Sequence, residues 1–245
     1  MLPPIIADTH THTLACDHAF STLSDNVAAA AKKGLKIVAY TEHTPALPGA
    51  PSYLHFRAMP LLPRYLHGVM ILRGAEVNIT DYSGKLDLSD EILDKLEFVV
   101  ASLHPPVIDP CTVAEGTRTW MAIANNPLVD VIGHCGAARY PFEHRPVIQE
   151  FARTGKIVEI NNNSLSERPG SAENCRAIAA LCAEYGVPVV LCSDAHFADS
   201  IGRVTGAAAI LEEISFPTEL ILNTDYDRFL AIARKLSGKT LTDEA

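Results

Sequence analysis

The sequence predicts an α/β protein assembled from βα units, with a parallel sheet buried on both faces and a size that fits one barrel. Seven short apolar runs rich in β-branched residues alternate with seven segments of helical period. The 245 residues suffice for one sizeable core, and no internal repeat or low-complexity tract divides them, so residues 1–245 read as a single domain. Hydrophobic residues at 48% against 20% charged exclude disorder, collagen and coiled coil.

Taken in order, the runs end in polar residues. Pro4–His12 finishes on Thr9-His10-Thr11-His12, and Leu35–His43 finishes on Glu42-His43. Gly68–Ile79 carries Ala75-Glu76 near its end, Leu96–His104 closes on Leu103-His104, and Val129–Cys135 closes on Gly133-His134. Lys156–Asn163 ends with Glu159-Ile160-Asn161-Asn162, and Val187–His196 ends with Ser193-Asp194-Ala195-His196. Between the runs, Ser24-Asp25 opens a helix over Val27–Lys33 that Gly34 closes, and Ser171 with Asn174 opens one that Gly186 ends. Thr44–Pro60 and Asn162–Gly170 read as long irregular loops, a type of segment that is often functional in a compact domain.

Twenty Lys and Arg against 29 Asp and Glu give a formal charge of −9, which argues against a generic surface for nucleic acid. Neither a membrane-spanning run nor a secretory leader is visible, so the expectation is a soluble, cytoplasmic protein. Six scattered Cys without C-x-x-C pairs suit reduced thiols; Cys175 and Cys182, seven apart on a helix, share one face and read as core.

In a βα barrel the carboxyl ends of the strands converge on one rim, where active sites sit. Chance alone yields about 0.4 occurrences of two His spaced by one residue in this composition, so His10-Thr11-His12 alone is a weak motif. The ensemble is stronger: His10, His12, His43, His104, His134 and His196 all terminate apolar strands, where burial is costly unless they are paired or metal-bound. Alternation along a strand points His10 and His12 the same way, and Asp194 and His196 likewise. Imidazole and carboxylate without thiolate suit Zn, Mn or Fe. With Glu76, Asp194 and the loop residue His18, nine candidate ligands exceed one zinc site and imply two or three ions, Glu76 being suited to bridging.

These residues resemble the PHP family, named for its polymerase and histidinol phosphatase members. The likeness rests on Asp8-Thr9-His10-Thr11-His12, Asp17-His18, Thr41-Glu42-His43, Gly74-Ala75-Glu76, His104, Gly133-His134 and Ser193-Asp194-Ala195-His196. It covers nearly the whole chain and is nearest the family's single-domain bacterial phosphatases. The resemblance implies a distorted (β/α)7 TIM-like barrel with three metals, usually zinc, at the carboxyl rim. Carried over by position, one metal takes His10, His12, Glu76 and Asp194; a second takes His18, His43 and His196; a third takes Glu76, His104 and His134. Two departures are Glu42, where the group often has Asp, and Cys135, where it often has Pro; alternation points Cys135 away from His134 and towards packing.

The activity expected is metal-dependent hydrolysis of a phosphomonoester of a small metabolite by a metal-bridging hydroxide, with Glu76, Asp194 and His196 as catalytic residues. Arg168, Arg57 and Arg139, in loops after strand ends, are candidates for binding phosphate, and His55 for a general acid. His67 and His144 read as surface or capping residues beside helix ends, and Trp120 and Tyr185 as packing residues on helices. The alternatives are an amidohydrolase-type hydrolase, which needs eight strands and commonly a Lys or carboxylate bridge after the fourth; a nuclease, for which a basic face is missing; and a non-enzymatic metal-binding module, which usually has lost ligands. A partner beyond the small substrate is expected only as another copy of the chain.

Overall fold

The computed structural model describes residues 2–237. Seven parallel strands form the wall of a nearly closed barrel: β1 (Ala7–Asp8), β2 (Ile37–Tyr40), β4 (Val69–Asn78), β5 (Phe98–Ser102), β6 (Val131–Ile132), β7 (Ile157–Asn161) and β8 (Val189–Cys192). They neighbour one another in chain order, as right-handed βα units require. A short antiparallel strand, β3 (Tyr65–Leu66), pairs with β4 through a two-residue turn at His67-Gly68, both with positive φ. His67 thus belongs to a hairpin rather than a helix end, and its ring meets the Ser24 hydroxyl at 3.0 Å.

The connecting helices are α1 (Leu23–Lys32), α2 (Tyr53–Ala58), α3 (Asp90–Leu93), α4 (Val113–Ala124), α5 (His144–Thr154), α6 (Ser164–Glu167), α7 (Ser171–Tyr185) and α8 (Thr205–Glu213), with α9 (Tyr226–Ser237) last. The first starts earlier than its sequence suggests: Thr22 caps it, reciprocally bonded with Asp25 in a capping box, and Thr112 with Glu115 does the same for α4. Helix α7 lies between Gly170 and Gly186, both left-handed, with Cys175 and Cys182 buried on one face. Both long loops contain a short helix: buried Phe56 anchors α2 inside Thr44–Pro60, and buried Ser164 anchors α6 inside Asn162–Gly170. Trp120 is buried, whereas Tyr185 is half-exposed beneath the Arg145 guanidinium.

Alternation splits the strand residues into two cores. Outward-facing side chains such as Val38, Ile71, Val99 and Val158 pack under the helices. Inward-facing Ile37, Ala39, Met70, Leu72, Phe98, Val100, Val131, Ile157 and Val190 fill the lower half of the barrel, and Phe229 and Leu230 of α9 cover its floor. The remaining gap lies between β1 and β8. Above, a single bridge joins Thr11 and Ala195. Below, buried Asn223 spans the seam, donating to the carbonyls of Ala7 and Leu191 at 2.8 and 2.7 Å and accepting from the Leu191 N–H at 3.1 Å. Among the described residues no helix is long and apolar enough to cross a membrane.

Candidate metal centre

The inward rows that begin apolar at the floor become polar towards the carboxyl ends. Along β4 the same face carries Met70, Leu72, Gly74, Glu76 and Asn78; along β7 it carries Ile157, Glu159 and Asn161; along and just past β8 it carries Val190, Cys192 and Asp194. Glu76 lies within the β4 ladder, whereas the other candidate ligands lie past the strand ends, where His134 has φ 24° and Asp194 φ 52°. Such left-handed backbone in non-glycine residues costs of order 1–3 kcal/mol and clusters at functional sites. Gly133 permits the close approach of β6 to β5, since a Cβ there would stand 2.1 Å from the Ser102 hydroxyl oxygen.

Glu76 is the hub. Its two carboxylate oxygens lie 3.2 Å from His10 Nε2, 3.6 Å from His12 Nε2, 2.6 Å from His43 Nδ1, 3.2 Å from His104 Nε2 and 2.8 Å from His134 Nε2. Asp194 stands 3.2 Å from His12 Nε2 and 3.7 Å from His10 Nε2. The His18 ring sits 5.1 Å from that of His43 and 4.9 Å from that of His196. All nine candidate ligands therefore meet in one place.

The donor set fits metal ions. His10 Nε2, both ring nitrogens of His12, His43 Nδ1, His104 Nε2 and Glu76 Oε2 are buried yet lack a hydrogen bond, although several stand close together. Lone pairs converging on shared points, not on one another, are what a cation requires, and buried polar atoms left otherwise would be costly. Three groups drawn from these residues each have their donor atoms mutually within 4.8 Å: His10, His12 and Glu76; His12, His43 and His196; His43, Glu76 and His104.

Supporting side chains fix the rings. Glu159 Oε2 lies 2.7 Å from His10 Nδ1, Asn78 Oδ1 lies 2.7 Å from His104 Nδ1, and the Asp194 carbonyl oxygen lies 2.9 Å from His196 Nδ1. Each accepts a hydrogen bond from Nδ1–H and so leaves Nε2 as the free ligand atom. Asn161 donates to both Glu159 and Asp194, at 2.6 and 3.1 Å, and Asn78 is itself held by Thr44 and Asp87. Glu42 accepts from Thr13 and from the Cys16 thiol and stands 3.8 Å from His12 Nδ1. Glu159 and Asn161 enter sequence reasoning only as polar residues at a strand end and Asn78 not at all; Asn78 shares a strand face with Glu76, two residues away, and Glu159 with Asn161. Period 2 was the available signal.

Electrostatics divide the imidazoles: burial opposes charge on His10 and His12, but the groups around them, carboxylates foremost, outweigh it and hold both well above the usual range. Burial pushes His134 down to about 4, with Arg168 adding to it, and burial with His12 nearby pushes His196 down to about 4; burial holds His43 well below the usual imidazole range. Those rings stay neutral at physiological pH, as metal binding needs. Burial opposes charge on Glu76, but neighbouring His10 foremost outweighs it and holds the carboxyl well below the ordinary range.

The four candidates for substrate contact separate. Arg168 reaches the cluster: one guanidinium nitrogen lies 3.5 Å from Asp194 Oδ2, and the side chain lines a cavity of about 380 Å³ with His18, His43, His104 and His196. Arg139 is exposed and lines a neighbouring pocket with Arg168 and Tyr140. Arg57 is exposed on α2 and makes no hydrogen bond or ion pair with the cluster among the described residues. His55 packs outside the barrel wall against Tyr40 and Phe56, ring centres 5.6 and 5.3 Å apart. Cys135 is buried with the outer core, and His144 packs against Phe142 at the start of α5.

Residues 8–163 match the profile of the PHP domain. A probable phosphatase of Acetivibrio thermocellus is 41% identical over 224 residues, 91% of this chain and 93% of that protein. One of Clostridium novyi is 42% identical over 235 residues, 96% of each chain, so the relatedness extends past the profile to Asp194 and His196. Among solved structures, the fold resembles histidinol phosphate phosphatase of Lactococcus lactis, complexed with zinc, L-histidinol and phosphate. That likeness has a TM-score of 0.60 at 18% identity and covers 86% of this chain and 94% of that one. A profile match over more than half of the chain and relatives above 40% identity along nearly all of it decide the matter: the chain belongs to the PHP domain family.

Proposed function

We propose that this phosphatase hydrolyses phosphomonoesters of small metabolites at a centre holding three metal ions, zinc first, with Mn or Fe as substitutes. The observation that carries the reading is the single carboxylate of Glu76 within reach of five imidazoles, four of which, His10, His12, His43 and His104, turn a ring nitrogen without a hydrogen bond towards it. His10, His12, Glu76 and Asp194 would hold one ion, His18, His43 and His196 a second, and Glu76, His104 and His134 a third. Such ions, when bound, supply an acidified water and neutralise charge on phosphate.

The chain's own residues do the rest. Glu159, Asn78 and the Asp194 carbonyl keep the Nε2 atoms aimed inwards, and Asn161 ties Glu159 to Asp194. Arg168, beside Asp194 and on the cavity wall, suits bidentate capture of phosphate oxygens. The cavity of about 380 Å³ fits a small molecule. The test is elemental analysis of purified protein beside p-nitrophenyl phosphate hydrolysis: more than one transition metal per chain and loss of turnover on chelation are expected. Full turnover in metal-free protein would overturn the reading.

A further inference from the structure

Only one of the two orientations of the Asn78 side-chain amide satisfies its surroundings. Its Nδ2 donates to the Thr44 carbonyl at 2.8 Å and to Asp87 Oδ2 at 2.9 Å, and both of these partners can only accept. The carbonyl end, Oδ1, is therefore the atom left for the His104 ring, whose Nδ1 lies 2.7 Å away and carries the proton of that bond. The other ring nitrogen, Nε2, is then a bare lone pair 3.2 Å from Glu76 Oε1, with no hydrogen bond of its own. Turned over, the amide would set an N–H against Nδ1, favour the proton on Nε2 and close the position through which His104 binds an ion.

Asp87 is the side chain on which this arrangement converges. It follows Leu86, which bridges back to Ile79 just past β4, so the loop after that strand returns the carboxylate to the strand's own end. Four donors meet it. Oδ1 accepts from the Thr44 hydroxyl at 2.5 Å and from the Asn78 backbone N–H at 3.0 Å, while Oδ2 accepts from the Ala46 N–H at 2.8 Å and from the Asn78 amide. Thr44 follows His43, another candidate ligand, and Leu47 and Pro48, just beyond Ala46, line the cavity with Arg168. One half-buried carboxylate thus ties the segment after β2 to the end of β4 and, through Asn78, to the ring that follows β5. A carboxylate suits the place because it accepts all four bonds and offers no donor.

We propose that Asp87 is a positioning residue: by fixing the Asn78 amide it keeps the proton of His104 on Nδ1 and its Nε2 open to a metal ion. The inference rests on the metal-centre reading and concerns the ion that His104 binds. Asp87 acts through Asn78 and not on the candidate ligands directly. Asp87→Asn breaks the arrangement, because whichever way the new amide faces, its NH2 meets at least one backbone N–H, that of Asn78 or that of Ala46.

The full-length, zinc-loaded protein is titrated with a competing chelator. Asp87→Asn should release one ion at an about tenfold lower chelator concentration, the other ions being held as in wild type. Excess zinc should restore its p-nitrophenyl phosphate turnover, which a distorted barrel would not allow. In the Asn78→Ala background, where that ion is already weakened, Asp87→Asn should add nothing further, whereas a merely structural part would add its loss in full. Nitrogen NMR of histidine-labelled, zinc-loaded protein reads the ring directly. Wild-type His104, identified by the signal lost in His104→Gln, should carry its proton on Nδ1, and that signal should weaken in Asp87→Asn. Asp87→Ala, which removes the acceptor without adding a donor, should release the same ion and takes the place of Asp87→Asn if that variant does not fold. Release of every ion as in wild type, additive losses in the double variant, or a wild-type His104 proton on Nε2 overturns the proposal. A wild-type protein that holds no transition metal overturns the metal reading and this proposal with it. One that holds ions yet hydrolyses no phosphomonoester strikes the phosphatase reading alone, and ion release and the ring spectrum still decide the part of Asp87.

Discussion

The lower and upper halves of the barrel interior are built by the same strands and differ only in how far along each strand one looks. Near the floor the inward positions are Ile37, Met70, Phe98, Val131 and Ile157, packed with Phe229 of α9. A few residues further, Glu76, His104, His134 and Asp194 crowd together beside buried nitrogens of His10, His12, His43 and His104 that make no hydrogen bond. Close packing of apolar groups makes the floor stable in itself. Gathering polar groups of the same kind makes the rim costly until something binds it. The comparison teaches that stability and chemistry occupy opposite ends of one set of strands, so each half can be perturbed with a different expected readout.

The largest effect belongs to the rim. Chelation, or Glu76→Gln, should reduce phosphatase turnover by at least about a hundredfold while the protein still melts cooperatively, because the hub carboxylate holds ligands together and not the floor. Full activity in that variant would remove Glu76 from its central role. At the floor, Phe98→Ala should cost about 3–5 kcal/mol in denaturant unfolding, with turnover per folded molecule kept. Equal losses of stability from Glu76→Gln and Phe98→Ala would erase the distinction between the halves.

Between them, Glu159→Gln tests the tier that orients the ligands. It should lower metal affinity about 10–100-fold, measured by competition with a chelator, with a smaller change in melting temperature. At the seam, Asn223→Ala leaves the Ala7 and Leu191 carbonyls without their amide donor and should cost about 1–3 kcal/mol. The smallest effect concerns His55, outside the wall. Burial holds its pKa below the ordinary 6.5, so the unfolded chain binds its proton first, and stability falls as pH drops below 6.5 towards the folded value. His55→Phe should therefore raise the melting temperature more at pH 5 than at pH 8; an equal change at both would show that this proton is irrelevant to stability.

Much of the site is legible in the sequence alone. The order of strand-end histidines, the shared facing of His10 and His12, and a seven-strand alternation all follow from period 2 and from the cost of burying polar groups. What eluded sequence reading depends on neighbours far away in the chain. Glu159 meets His10 across 149 residues, and Asn78 meets His104 across 26. Arg168 and Arg57 look alike as loop arginines, yet one reaches Asp194 and the other lies exposed on a helix that Phe56 anchors elsewhere. His55 follows Ser52 at the start of that helix and turns to Tyr40, outside the wall.

The sequence by itself determined the βα alternation, the apolar lower core and the set of groups delivered to the carboxyl rim, because burial and strand pleat act on each segment locally. Tertiary structure alone decided which imidazoles converge on Glu76, how Asn223 seals the gap beside β1, and which loop residues face the cavity. Those outcomes depend on the closure of the sheet, a long-range condition that no single segment encodes.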